Sequence, residues 1–139
     1  TAETIDREGW LHTGDLGTMD SRGYVRITGR VKEMIIRGGE NLFPTEIENV
    51  LLEHPLITEV AVVGIPDDKW GEIVACFIRA DATEEIDPKV LHHHCRQHLS
   101  PQKTPVVWCK VEAFPLTGSG KIQKFAIRDG YLAGNYEPL

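Results

Sequence analysis

No apolar run in this sequence approaches the roughly 20 residues that a membrane-spanning helix requires. Nor is there a basic segment followed by an apolar one at the N-terminus, so no secretory leader is read there. Positive charge is in deficit: 15 Lys and Arg stand against 21 Asp and Glu, a net charge of −6. That balance argues against a general nucleic-acid binder, which ordinarily carries a basic face, but it leaves room for a local basic cleft for phosphates. The three cysteines, Cys76, Cys95 and Cys109, form no Cys-x-x-Cys pair. An odd, unpatterned set of this kind points to reduced thiols and a cytoplasmic compartment. The chain opens on Thr1 with no initiator Met, and on that ground it is expected to be a piece of a longer protein.

What is present suffices for a core. The 139 residues are 41% hydrophobic and 26% charged, the composition of one ordinary globular domain with room for a small appendage. Trp10 and Leu11 read as a short strand and Thr13-Gly14-Asp15 as a turn. Met19 to Tyr24 carries a hairpin signal, and a strand follows over 24–27. These first 30 or so residues are too few to bury a core of their own. Between residues 29 and 48 the character changes twice: a charged turn, the apolar run Met34-Ile35-Ile36, the pair Gly38-Gly39, then Pro44 at the start of a helical pattern. Ile47, Val50, Leu51 and His54 form that helix's buried stripe, and Pro55 ends it.

Further on, 57–65 and 73–79 are β-branched strands joined by a turn, expected to pair antiparallel with one face of each buried. Cys76 belongs to the second strand and reads as a small core hydrophobe. Asp87 is an N-cap with Pro88 at the first helical position, opening a helix to about Leu99. His94 and His98 lie four apart, a spacing that suits zinc, but no carboxylate or His-Glu-x-x-His pattern accompanies them, so the metal reading is set aside. A third strand spans 106–111, and Phe125, Ile127 and Tyr131 suit a last helix. Gly118-Ser119-Gly120-Lys121 invites a Walker phosphate-loop reading. That motif needs Gly at 115 and Ser or Thr at 122, where the chain has Pro115 and Ile122.

Four stretches, in order, resemble one family. They are G-W-x-x-T-G-D-L-G at Gly9–Gly17, G-R-x-K-E-x-I-I-x-G-G-E-N-x-x-P-x-E-I-E from Gly29 to Glu48, V-x-G-x-P-D-x-x-W-G-E ending at Glu72, and P-x-T-x-x-G-K-I from Pro115 to Ile122. Together they resemble the C-terminal part of adenylate-forming enzymes, acyl-CoA synthetases of the fatty-acid–CoA ligase type in particular. The resemblance implies nucleotide contacts at Asp15 and Arg30, a hinge at Lys32 and a catalytic lysine at Lys121. It implies contacts with coenzyme A at Gly38, Gly39, Glu40, Trp70 and Lys103. Beside these readings stand plainer ones: Asp15 as a turn former, Arg30 and Lys121 as solvated cations, the glycines as a strand-ending turn, and Trp70 as cover for a sheet edge. The family's aromatic residue before Lys103 is Gln102 here, which puts a stacking role there in doubt. Lys124, three residues past Lys121, is expected to be peripheral.

The fold expected is α+β, a small three-stranded sheet with packing helices over 32–139, preceded at 1–31 by a β-rich remnant of a large N-terminal domain. The parent would use ATP and Mg²⁺ to convert a carboxylic acid, of fatty type, to an acyl-adenylate and then transfer the acyl group to coenzyme A. Its partners would be its own large domain and these small molecules, and the 139-residue chain alone would be inert. Two other readings remain: an adenylating enzyme that delivers its acyl group to a carrier protein, and a non-catalytic interaction module on the same fold. Gly38-Gly39-Glu40-Asn41 favours the CoA ligases.

Overall fold

Two nine-residue strands carry the architecture of the computed structural model, which describes residues 5–139. The first strands lie apart from them: β1 (Asp15–Met19) and β2 (Val25–Arg30) form a separate antiparallel hairpin. A 3-10 turn, Val31–Glu33, leads to a second hairpin, β3 (Ile35–Arg37) and β4 (Glu40–Leu42). Helix α1 (Pro44–Leu52) follows, then the long strands β5 (Glu59–Asp67) and β6 (Gly71–Arg79). They pair antiparallel along their whole length, from Glu59 opposite Arg79 to Asp67 opposite Gly71. Helix α2 (Pro88–Arg96) returns the chain so that β7 (Val107–Lys110) lies parallel to β6, the connection a parallel pair requires. Helix α3 (Lys124–Leu132) closes the fold. Among the described residues no helix is long and apolar enough to cross a membrane.

The expected three-stranded sheet is therefore β5, β6 and β7, and the β3–β4 hairpin extends it to five strands. Since β5 occupies one edge of β6, the hairpin and β7 share the other: Arg37 meets Gly71 at one end and β7 runs beside Ala75–Ile78 at the other. Three residues of β4 were not foreseen, because Glu40-Asn41-Leu42 has neither the alternation nor the length of a strand signal. Trp10 lies outside any strand, while Leu11 makes only an isolated bridge to Ile5.

The long strands are buried on both faces, not on one as expected. Val60, Val62, Val74, Cys76 and Ile78 pack with Ile47, Leu51, Leu91, Cys95 and Leu99 of the α1–α2 side. Ala61, Val63, Ile65, Ala75 and Phe77 face the opposite way, onto Phe114 and Ile127. Alternation sends successive side chains to opposite faces, so a strand apolar at every position needs a helical layer on each side. On the α3 side, Phe77 meets Tyr131 and Tyr136 edge-on at 5.9 and 5.2 Å between ring centroids. All three cysteines are free and buried. In α2, the Asp87 side chain accepts from the amide of Lys89, as its N-cap assignment requires.

Among the described residues the outer edge of β5 has no strand partner. One of its amides, Val62 N–H, is instead bonded by the Glu48 carboxylate of α1 at 3.2 Å. That carboxylate also meets Lys124 Nζ, the first residue of α3, at 3.1 Å. The pair links the two helical layers around a sheet edge that would otherwise be open. Burial lifts the Glu48 carboxyl above its ordinary value, and Lys124 and the Val62 amide only partly offset this. A carboxyl raised on folding stabilises the fold most when protonated, below its unfolded pKa, and that contribution is lost as pH rises through the folded value. Glu48→Gln cannot ionise, so its melting temperature is expected to improve relative to the parent as pH is raised from about 4 to about 7. Thermal melts across that range check this; a pH-independent difference would show that Glu48 ionises as easily folded as unfolded.

Candidate functional site

A cleft of about 490 Å³ opens between the β1–β2 hairpin, the 3-10 turn and the loop that precedes α3. Thr13, Gly14, Arg30, Lys32, Glu33, Lys121 and Lys124 are among the residues that line it. Residues from both ends of the chain thus meet in one place. In a chain of net charge −6, five cations line this cleft (Arg30, Lys32, Lys121, Lys124 and Arg128) against two carboxylates, Glu33 and Glu72. Local excess of one sign focuses field into a cleft and concentrates ions of the opposite sign. Arg30 and Lys124 are paired with carboxylates of the protein, and Lys32, Lys121 and Arg128 remain as the cations that suit the cleft to an anion although the chain as a whole is acidic.

Arg30 and Asp15 are cross-strand partners in the β1–β2 register, and Arg30 Nε donates to Asp15 Oδ1 at 2.9 Å. Among the described residues Asp15 Oδ2 has no hydrogen-bond partner and is left to accept from another group. Thr13 Oγ1 accepts from the Asp15 amide at 3.3 Å and shapes the turn that brings Gly14 to the cleft. Lys121 sits at the end of a tight loop. Thr117 N–H donates to Lys121 O at 2.7 Å, and Lys121 N–H donates to Thr117 Oγ1 at 3.1 Å. Leu116 and Ile122 form a bridge at its base. The backbone is thus held on both sides while the side chain is exposed. Among the described residues the Lys121, Lys32 and Arg128 side chains make no ion pair.

A second cluster forms at the other end of the β3–β4 hairpin. Gly38 has φ +58° and Gly39 +82°. A Cβ on Gly38 would stand 2.9 Å from the Trp70 ring, so glycine is required there by packing as well as by backbone. At Gly39 a Cβ would meet nothing within 4 Å, and only the left-handed backbone calls for glycine. Gly38 N–H donates to Trp70 O at 2.8 Å, and the Arg37 guanidinium and Lys69 ammonium lie over the indole at 4.4 and 4.8 Å. None of these residues lines the first cleft. Glu40 is exposed at the start of β4. Lys103 is engaged by Glu46 of α1 at 3.0 Å, and its ammonium already has a carboxylate. The histidines of α2 are taken up in packing: His94 Nε2 lies 2.7 Å from Val50 O, and the His54 and His98 rings meet the His94 ring edge-on.

Two features escaped the sequence. Nothing local in the sequence marks Arg37; a cation beside a glycine pair and facing a tryptophan becomes a recognisable arrangement once the pairing is known. Lys124, expected to be peripheral to the chemistry, is tied into the structure beside the cleft. Its side chain is 16% exposed and bonds both Glu48 and Glu33. One signal was available: a lysine at the first position of a helix opposes the helix dipole and needs another reason to be there.

The model of the AMP-binding enzyme C-terminal domain matches residues 46–121. The chain is 45% identical over 129 residues to the putative acyl-CoA synthetase YngI of Bacillus subtilis (strain 168), covering 93% of this chain and 24% of that protein. It is 43% identical over 129 residues to the mitochondrial medium-chain acyl-CoA ligase ACSF2 of Rattus norvegicus, covering 93% of this chain and 21% of that one. It also superposes on the o-succinylbenzoate CoA synthetase MenE of Bacillus subtilis, solved with the acyl-adenylate intermediate OSB-AMP. That match has a TM-score of 0.85 and 33% identity, covering 91% of this chain and 26% of MenE. The chain spans about a quarter of the length of these relatives. With the family model covering more than half of the residues and the same α+β architecture recurring in a solved adenylating enzyme, this chain belongs to the AMP-binding enzyme C-terminal domain family of the adenylate-forming enzymes.

Proposed function

We propose that this chain is the C-terminal part of an ATP-dependent acid–CoA ligase, with residues 32–139 as its mobile domain and 1–31 as the end of its large one. The observation that carries the reading is the basic cleft, in which Arg30 and Lys121, distant in sequence, face one space. ATP would enter as its Mg²⁺ complex. The substrate carboxylate attacks the α-phosphorus, pyrophosphate leaves, and the acyl-adenylate remains. Both reactants are anionic, so charge crowds at phosphorus in the transition state. A lysine ammonium, cationic at neutral pH by its ordinary pKa of about 10.4, offsets that charge. Lys121 is suited to this work by its tethered loop and unpaired side chain. Arg30 occupies one oxygen of Asp15 and orients the other for a ribose hydroxyl.

In the second step the coenzyme A sulfur attacks the acyl carbonyl and AMP leaves. Gly38, Gly39 and Trp70 lie outside the cleft, so they can serve the same adenylate only if the domain turns. Lys32, between β2 and β3, is the proposed pivot. Glu40 and Lys103 are proposed to flank the coenzyme A path, with Lys103 released from Glu46 when it does so. The acid is proposed to be of fatty type, on the likeness to ACSF2, and the compartment to be the cytoplasm, on the three free thiols.

Three outcomes are expected. In the full-length enzyme, Lys121→Ala should slow acid-dependent adenylation about 100- to 1000-fold. Thioester formation from supplied acyl-adenylate and coenzyme A should stay near normal. Assaying the half-reactions separately checks this, and intact adenylation would remove Lys121 from the reaction. Trp70→Leu should do the reverse, raising the KM for coenzyme A about tenfold with adenylation unchanged. Turnover with a carrier protein and none with coenzyme A would move the enzyme to that other branch. The 139-residue chain alone should release no pyrophosphate from ATP and acid, and full-length protein that also releases none would favour an interaction module.

A further inference from the structure

Lys124 is less exposed than any other cation in the ion pairs among the described residues. Its Nζ lies 3.4 Å from Glu33 Oε2 and 3.1 Å from Glu48 Oε2. Three elements converge on this one ammonium: the 3-10 turn through Glu33, α1 through Glu48, and α3, of which Lys124 is the first residue. A half-buried cation is costly unless well partnered, and at a helix N-terminus the dipole opposes it. Helix formation therefore does not account for Lys124. Two carboxylates on one lysine is also more than neutrality needs.

The placement supplies the reason. Glu33 directly follows Lys32, the proposed pivot. Lys124 directly follows the base of the Lys121 loop, where Gln123 N–H donates to Pro115 O at 2.8 Å and Leu116 bridges Ile122. The path from Lys124 to Lys121 is thus short and cross-linked, and so is the path from Lys124 to the pivot. We propose that Lys124 is a positioning residue: it fastens Glu33 to the mobile domain, confines the turn to Lys32, and holds the Lys121 loop in register with the cleft. This rests on the reading of Lys121 and Lys32 given above. Lys124 touches no reacting atom on this account. It acts through Lys121, whose ammonium must meet the α-phosphate within a fraction of an ångström, and a misplacement of about 1 Å is enough to cost up to about 100-fold.

The test uses the full-length enzyme, with the two half-reactions and the melting temperature measured on each variant. Lys124→Met should lower the adenylation kcat about 10- to 100-fold, with the KM for ATP changed less than about threefold. The thioester step should fall less, and Lys124→Arg, which keeps the charge and can reach both carboxylates, should recover most of the rate. Glu33→Gln leaves Glu48 to hold Lys124, so it should slow adenylation without lowering the melting temperature. Lys124→Met with Glu48→Gln leaves no unpaired buried charge and should restore stability but not adenylation. If that double variant regains both, Lys124 only neutralises Glu48 and the proposal falls. Equal loss in both half-reactions for every variant would also overturn it, as would an unchanged rate in Lys124→Met. Lys121→Ala is measured alongside: its adenylation intact means the underlying reading has failed, whereas its adenylation lost with Lys124→Met unimpaired means this proposal alone has failed.

Discussion

The double-sided burial of β5 and β6 is the constraint from which the rest follows. Val60, Val62, Val74, Cys76 and Ile78 need cover on one face, and Ala61, Val63, Ala75 and Phe77 need it on the other. Each buried Val, Ile or Phe side chain contributes roughly 1.5–3 kcal/mol, so neither layer is dispensable. Helices α1 and α2 cover the first face and α3 the second. Because α3 must lie across Phe77, the loop that feeds it passes the end of the sheet beside the 3-10 turn. The cleft lies where the demand for cover on the second face brings the chain back to its own beginning.

Electrostatics then works against the average. The chain is acidic, yet the cleft is lined mostly by cations. Net charge governs solubility and distant steering, whereas a wall a few ångströms away governs what can be held. Arg30 and Lys124 are spent on carboxylates of the protein itself, Asp15 and the pair Glu33 and Glu48. Lys121 is not. The same residue type thus serves as a strut at 124 and as an exposed charge at 121, and the difference lies wholly in what the fold sets around each.

The hairpin turn shows a related division. Gly38 and Gly39 share a left-handed backbone, but Gly38 is pressed against Trp70 while Gly39 faces open space. One glycine serves internal packing and the other leaves room beside the backbone. Arg37 and Lys69 over the indole make the Trp70 surface cationic as well as flat. This is a surface of different character from the cleft, carried by the other end of the same hairpin.

Much was legible in the sequence where the signal is local. The Pro44 and Asp87-Pro88 helix starts, the paired strands at 59–79 and the ordered motifs that identify the family all follow from backbone chemistry within a few residues of each feature. Strand β4 was not legible, since three residues with no alternation become a strand only when Ile35–Arg37 lies beside them. Nor was the role of Lys124, expected at the periphery from its neighbours in sequence. Its partners Glu33 and Glu48 are 91 and 76 positions away, and pattern reasoning does not reach so far. Sequence determined by itself which residues turn, cap and alternate, and which motifs are carried, because those depend on φ, on side-chain volume and on near neighbours. Which cation is left exposed and which is buried between two carboxylates was decided only by the tertiary structure, because the cost of a charge depends on the dielectric and partners around it, and those come from distant parts of the chain.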